Sequence, residues 1–595
     1  MYTSLFSPEV QAILDDAVQS AGQAKGPFPS PADWRDQVIY FLMVDRFNNP
    51  DLPPVHSPFD DPSYYAFQGG KFSGIQQRLG YIKGLGVGAI WLSPVLKNLQ
   101  FDDGSYHGYG IHDFLKAEPR FATIPDNADD ELRALVDAAH KAGLYVIFDI
   151  VLNHTGDVFA YEGSSIASFS STTLPVQWRD AKGTARQPFS DVTAIPNPSS
   201  DAVVWPSELQ QNHYFRRQGN GPDQNGDDTV GDFQSLKQMM TVYPDLQGYL
   251  IRAYQYVIAR YDIDGFRIDT LRYLKGDLPR LFGNSIREFA QSIGKKNFFT
   301  YGEVLDGSEE NDIARFIGHS TTDPSGLVGV DAAIDYPLFN NLKPAIKGQS
   351  SPATVVGMYS YRKQVEQDIL SSHGDATRFF VTFLDNHDAK ERIRYVQPGN
   401  EHQYDDQVTM GMACLYSLPG IPCVYYGTEQ GFHGNGSDAA VREALWGIVP
   451  TFPQNSFFYI EISKIAAIRN AEPALRYGRF YFRPISGDSA NFGVSPFPNG
   501  ILAWSRILND QEVVVVANTS TSQSQSVDVI LEKALSTPGD KLRILYSNKN
   551  NPVVPASVKT LNQVTVAEVD GTTGYGPINA TRVTLQSMEV QILRI

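Results

Sequence analysis

Three carboxylic acids stand where apolar runs that predict strands come to an end. Asp269 closes Asp264-Gly265-Phe266-Arg267-Ile268-Asp269, Glu303 follows Thr300-Tyr301-Gly302, and Asp388 follows Phe383-Leu384-Asp385-Asn386-His387. An earlier segment, Asp149-Ile150-Val151-Leu152-Asn153-His154, has the same form. Acids gathered at one end of successive strands suit displacement at the acetal carbon of a sugar. One carboxylate attacks, one carboxyl protonates the departing oxygen, and the site tolerates a cation-like ring. Each string is a weak signal by itself, and the four in this order are a strong one. Arg267, two residues before Asp269, projects to the same face of its strand, where a guanidinium is expected to keep Asp269 ionised for attack. Glu303 is the candidate general acid and base. Taken singly, these residues would read as an Arg–Asp pair and a cap at strand ends.

To bring such acids together the chain must set strand ends side by side. Val38 to Val44 is an unbroken apolar run, the pattern of a strand covered on both faces. Further strands are predicted at 88–94, 146–151, 265–268, 298–301, 330–334, 379–383 and 421–426. Helices are predicted between them. Ile75, Leu79, Ile82 and Leu85 mark the face of one, Leu132, Leu135, Val136 and Ala139 mark another that Gly143 ends, and 249–261 is a third. Eight strands with intervening helices predict a closed barrel. Residues 1–36 read as a helical leader and a Pro-rich connector. The alternation stops over 155–245, a stretch too long for a plain loop and rich in Ser, Thr, Gly, Asp and Asn. From about 478 onward, short β-like runs between turns predict an antiparallel sandwich. The expected fold class is α/β: a (β/α)8 TIM barrel (37–154 and 246–477), an inserted domain after strand three (155–245), and a C-terminal β-sandwich (478–595).

Composition narrows the function classes. Hydrophobic residues are 42 % of the 595 and charged residues 19 %, which supports a large core and excludes a disordered chain. A net charge of −17 argues against nucleic acid, which wants a basic face. The 30 Tyr and 34 Phe are compatible with stacking on sugar rings, although most must be core. Cys414 and Cys423 read as buried free thiols. The first residues lack a basic segment followed by an apolar one, and no run of about 18 apolar residues occurs. A soluble, cytoplasmic protein with no membrane partner is expected.

Together these segments resemble the alpha-amylase family, glycoside hydrolase family 13, over nearly the whole chain. The likeness extends to the family's layout of barrel, excursion after strand three and C-terminal β-domain. The resemblance implies retaining cleavage of α-glucosidic bonds, most simply α-1,4 bonds of starch-like polysaccharides or malto-oligosaccharides, through a covalent glycosyl-enzyme. Asp269 would be its nucleophile and Glu303 its acid and base. Asp388 would hold the 2- and 3-hydroxyls and stabilise positive charge. The resemblance also implies a stacking floor at Tyr109 in Tyr106-His107-Gly108-Tyr109, and sugar contacts from His107, His154, Arg267 and His387. Asp149 would be a structural acid bonded to Arg267. A calcium ion is implied at the excursion's root, held by Asn153, by Asp245 in Tyr243-Pro244-Asp245-Leu246, and by the carbonyl of Tyr273. Asn48-Asn49-Pro50-Asp51 resembles a second loop cation site of some relatives, and reads also as a plain turn.

The pattern departs from the family where Lys-His often follows the nucleophile by three and four residues. Arg272 and Tyr273 stand there. Arg272 can still donate, from a planar fork rather than a point charge, and leaving-side specificity stays open. A transglycosylase or sugar isomerase using the same intermediate is the alternative reading. A non-catalytic carbohydrate-binding subunit on this fold would lack the nucleophile or the acid, and both are present.

Overall fold

Eight apolar segments pair in parallel and close on themselves. They are β1 (Ile39–Leu42), β2 (Ala89–Leu92), β3 (Tyr145–Val151), β4 (Gly265–Asp269), β5 (Phe299–Gly302), β6 (Ala332–Ala333), β7 (Val381–Thr382) and β8 (Ile421–Tyr425). Their order in the sheet is β6-β5-β4-β3-β2-β1-β8-β7, and a parallel bridge between Ile334 and Val381 joins its two outer strands. The computed structural model describes every residue except 1–3, 57–64, 164–171, 186–198, 219–230, 276, 306–309, 321–325 and 367.

All eight expected strands are present, and two are shorter than their sequences suggest. At β6 the side chain of Asp331 takes the Thr300 N–H (3.1 Å) and hydroxyl (2.8 Å), which replaces ladder pairing. Before β7, Asp375 caps a 3-10 turn over Ala376–Phe379, so the apolar residues ahead of Val381 pack from a turn rather than a strand. The helix expected around Ile75 to Leu85 is two helices, Phe72–Gln77 and Leu79–Gly84, broken at Arg78 (φ −106°, ψ 9°). Gly74, Gly80 and Gly84 lower helix propensity there. Three longer helices match, α1 (Pro8–Gln19), α2 (Ala128–Lys141) and α3 (Pro244–Tyr261), and a further one, α4 (Tyr336–Ile346), follows β6. Among the described residues, no helix is long and apolar enough to cross a membrane.

The leader is tied to the barrel's amino-terminal end. Leu5, Val10 and Leu14 are buried, and α1 packs on α3. Beyond it, the Phe28 N–H donates to Asp262 (3.0 Å), and the buried Lys295 ammonium donates to the Phe28 carbonyl (2.9 Å). That ammonium also lies 2.9 Å from both Asp262 and Asp264, and the Phe28 ring stacks on His140 with centroids 4.1 Å apart.

After β3, His154–Thr155 pairs antiparallel with Lys237–Gln238, which anchors the excursion. Lys237 is buried there, 3.1 Å from Asp157 and 3.4 Å from Asp232, with its ammonium over the Tyr161 ring (4.8 Å). At the carboxyl end of the chain a five-stranded and a four-stranded sheet, both antiparallel, stack face to face. Alternation along Gln511–Asn518 serves two cores. Val514 and Val516 face the other sheet, while Val513 and Val515 join the barrel's core. Cys414 and Cys423 are buried and free, and burial pushes both thiols up.

Candidate active site

Arg267 is the hub of the site. Its side chain is fully buried; Nη1 lies 2.9 Å from Asp149 and 2.8 Å from Asp269, and Nη2 lies 2.9 Å from Glu303. Period two on β4 puts Arg267 and Asp269 on one face, as the sequence predicts. Straight after Asp269 the chain enters the left-handed region at Thr270 (φ +48°), an unusual place for a β-branched residue. That turn aims the Thr270 N–H at Glu303 (3.1 Å). Gly302 lets the two segments approach: a Cβ there would come within 2.1 Å of Leu271. Asp149 is also bonded to the Trp91 indole (3.1 Å) and lies 2.9 Å from the Tyr109 hydroxyl.

One cation shared by three carboxyls cannot hold all of them at ordinary values. Burial raises Asp149 to about 7 against the pull of Arg267. Asp269 is pushed well above the usual carboxylate range by burial. Arg267 lowers it, and Glu303, Asp149 and Asp388 raise it again. The expectation that Arg267 would suffice to keep Asp269 ionised is therefore corrected: the guanidinium acts in that direction and is outweighed.

Asp388 lies in the loop beyond β7, six residues past Thr382. Its carboxylate is 3.0 Å from Nη2 of Arg442 and 3.3 Å from Nε2 of His387. Arg442 also donates to the His387 carbonyl (3.0 Å) and the Tyr106 hydroxyl (3.1 Å). Asn386 holds the His387 ring at Nδ1 (2.5 Å), and the other ring nitrogen meets the Tyr109 hydroxyl at 2.7 Å. Tyr109 and His387 rings are near parallel (14°), and His107 Nδ1 accepts the Tyr109 N–H (3.0 Å). Gly108 (φ +86°) makes this turn, and a Cβ there would meet the Pro94 carbonyl at 2.2 Å. His154 reaches within 3.9 Å of Asp269. Burial keeps His107, His154 and His387 neutral, the first two at about 3.

The structure thus brings Tyr109, His107, His154, Arg267, Asp269, Glu303, His387 and Asp388 to one end of the barrel. Arg272 sits at the rim on the Glu303 side, its guanidinium 3.4 Å from the Leu305 carbonyl. Two residues were missed by sequence reading. Tyr336, just past β6, donates to Glu303 (3.2 Å) and accepts from Asn386 (3.2 Å). In the sequence it is one aromatic among many that follow a strand, and nothing there marks it. Arg442 follows β8 within Ala439-Ala440-Val441-Arg442-Glu443, and no sequence signal marks it.

The expected calcium ligands Asn153 and Asp245 differ in their surroundings. Asn153 suits a cation, since its side-chain oxygen and nitrogen are buried without a partner. Asp245 does not. It is exposed at the start of α3, where it accepts from the Tyr214 hydroxyl and the Leu246 N–H. Tyr273 packs its ring edge-on against Phe233. Among the described residues, no group of three or more His, Cys, Asp or Glu could hold a metal ion. At the second loop, Asn49 accepts from the N–H groups of Asp51 and Leu52, which makes a turn.

A cavity of about 330 Å³ opens beside Asp388, walled by Tyr336, Phe339 and Phe383 and rimmed by Asn340, Lys390 and Glu391. Against known proteins, the catalytic-domain model of alpha-amylase matches residues 41–449. The chain belongs to the alpha-amylase family. The family match begins in β1 and ends beyond β8, so it takes in the hub and every acid around it. Among curated relatives, an alpha-amylase of Streptomyces lividans is 27 % identical over 73 % of this chain and 49 % of its own length. A cyclomaltodextrin glucanotransferase of Geobacillus stearothermophilus is 27 % identical over 87 % and 64 %. The chain spans about half the length of the curated relatives it matches, from 35 % to 60 % of the first three. Among solved structures, an alpha-amylase from Geobacillus thermoleovorans complexed with acarbose superposes with TM-score 0.64 at 24 % identity, covering 95 % of this chain and 99 % of that one. A cyclomaltodextrin glucanotransferase with a three-domain ABC distribution gives 0.66 at 22 % identity, over 95 % and 99 %. These two show the fold.

Proposed function

We propose that this alpha-amylase family member is a retaining glycosidase that opens α-glucosidic bonds, α-1,4 bonds of malto-oligosaccharides or starch-like chains first. The observation that carries the reading is one buried guanidinium that lies 2.8 Å from Asp269 and 2.9 Å from Glu303. Two carboxyls held this way favour the short separation of a retaining pair, about 5–5.5 Å, over the wider gap that leaves room for water.

In the first step an Asp269 oxygen bonds to the anomeric carbon as the bond to the leaving sugar breaks, and Glu303 passes its proton to the leaving oxygen. In the second, Glu303 takes a proton from water, the water oxygen bonds to the same carbon, and Asp269 departs. Both groups are restored. Asp388, steadied by Arg442, accepts from ring hydroxyls and offsets the positive charge that develops. The neutral imidazoles of His107, His154 and His387 bond to further hydroxyls, and the Tyr109 ring is the floor. The barrel carries this chemistry, with 155–245 as an inserted region at its rim and 478–595 as the sandwich. No step draws on calcium.

A transferase reading keeps the same intermediate and lets a sugar hydroxyl replace water. The aromatic wall beside Asp388 favours it, because an acceptor ring packed there excludes water. Incubation with maltotriose tests this: products longer than the substrate mean transfer. For the main reading, Asp269→Asn and Glu303→Gln should each lower turnover by about three orders of magnitude or more with an unchanged thermal transition. NMR of the first product should show the α-anomer. Near-normal activity in either variant, or β-product released first, rejects it.

A further inference from the structure

The leader is gripped at both ends. Its far end is held at the barrel's base, where Asp262 and Lys295 take Phe28. At its near end the Ser4 hydroxyl and the Leu5 N–H (3.1 Å) both donate to the carboxylate of Glu208. Glu208 lies in a 3-10 turn, Ser207–Leu209, within the excursion rather than the barrel. Between the two grips α1, with 12 residues and a length of about 18 Å, packs on α3. Arg252 of α3 secures it. The guanidinium donates to the Leu5 carbonyl (2.9 Å) and to Gln11 (2.7 Å) and lies over the Phe6 ring (4.9 Å). One segment thus joins the excursion, α3 and the base of the barrel.

Backbone pairing continues the grip on Glu208 inward. The Met240 N–H donates to the Tyr214 carbonyl (2.6 Å), and the Arg216 N–H to the Gln238 carbonyl (2.9 Å). Lys237–Gln238 in turn pairs with His154–Thr155, and the Met239 N–H donates to the Asn153 carbonyl (2.8 Å). His154 stands at the end of this path, 3.9 Å from Asp269. Its ring nitrogens are buried without a hydrogen-bond partner, so backbone and packing decide where the imidazole points. A misplacement of about 1 Å in a group that positions substrate can cost about 100-fold in rate.

We propose that the leader is a strap that sets the register of the excursion on the barrel and, through it, the place of His154, with Glu208 and Arg252 as its positioning residues. The strap itself is independent of the reaction, and its link to His154 rests on the glycosidase reading above. Both are read in the full chain, by amide hydrogen exchange and by kcat/KM on maltoheptaose. Glu208→Ala removes both bonds at the near end. It should speed exchange over 207–216 and 237–240 about tenfold or more and lower kcat/KM about fivefold or more. Glu208→Gln keeps an acceptor there and should recover part of each loss. Arg252→Met loosens the leader while leaving Glu208 in place, so it gives a second reading that does not depend on Glu208→Ala folding. It should speed exchange over the same residues about threefold or more. On a His154→Ala background, Glu208→Ala should lower kcat/KM less than about twofold while exchange still rises. Unchanged exchange in either folded variant overturns the strap. Faster exchange with unmoved kcat/KM, or a full further loss on the His154→Ala background, overturns the link to His154. A wild type that cleaves no maltoheptaose removes the glycosidase reading, and the exchange rates still decide the strap.

Discussion

Arg442→Met is the sharpest test of how the third acid is held. The guanidinium bonds to the Asp388 carboxylate at 3.0 Å and to the His387 carbonyl at 3.0 Å, in a position that is 7 % exposed. A charge-assisted hydrogen bond is worth about 1.5–3 kcal/mol and a bond to a neutral carbonyl about 0.5–1.5 kcal/mol. The Asp388 side chain is 29 % exposed, so water recovers part of the loss. A net cost of about 2–4 kcal/mol in the transition state lowers kcat/KM by about 30- to 1,000-fold. Arg442→Lys retains the charge and reaches fewer partners than the guanidinium, so about tenfold is expected. The measurement is kcat/KM on maltoheptaose, with circular dichroism to check the fold. A double-mutant cycle with Asp388→Asn separates positioning from simple damage: with the carboxylate gone, Arg442→Met should cost less than half as much. If Arg442→Met stays within about threefold of wild type while folded, or adds fully to Asp388→Asn, then Arg442 does not act through Asp388.

The acid side of the pH profile carries a second prediction. Asp269 must be ionised to attack and is held above the usual carboxylate range, so the acid limb of kcat/KM should lie above pH 4; a wild-type midpoint at or below pH 4 rejects this. Because the Asp149 value is raised in the folded state, to about 7, its stabilising contribution is complete below about pH 4 and is lost as pH rises toward 7, and this fall in melting temperature should flatten in Asp149→Asn. Tyr336→Phe removes one hydrogen bond to Glu303 and should lower kcat/KM about fivefold, an unchanged value showing that the bond plays no part in catalysis. The excursion is pinned by the buried Lys237 ammonium between Asp157 and Asp232, so Lys237→Met should cost about 3–5 kcal/mol and make the excursion protease-sensitive. A chelator should shift the wild-type melting temperature by less than about 2 °C, because the excursion is pinned by an internal cation; a shift of several degrees would show a metal sharing that role.

The barrel was legible because parallel strands buried on both faces leave unbroken apolar runs, and all eight runs are strands. Its acids were legible for a related reason: a polar residue ending such a run has only the mouth of the barrel to face. What sequence hid is non-local. Tyr336 looks like any aromatic after a strand until Glu303 is seen beside it, and Arg442 is 54 residues from the carboxylate it holds. The Asp269 environment was misjudged because the sequence pattern gives Arg267 only Asp149 and Asp269 to serve, whereas the fold adds Glu303 to the same guanidinium and buries them all. The short β6 and β7 show side-chain carboxylates competing for backbone donors, which apolar patterning cannot register.

The clamp at the barrel's base gives the chain an awkward order of assembly. Phe28 is synthesised well before the groups that hold it: the ammonium that grips its carbonyl is 267 positions later, and the carboxylate that grips its amide is 234 later. The leader must wait, unsecured, until four strands of the barrel have been made. Once it seats, Phe28 ties His140, Asp262 and Lys295 to one residue, so a late local contact closes over groups drawn from three distant parts of the chain.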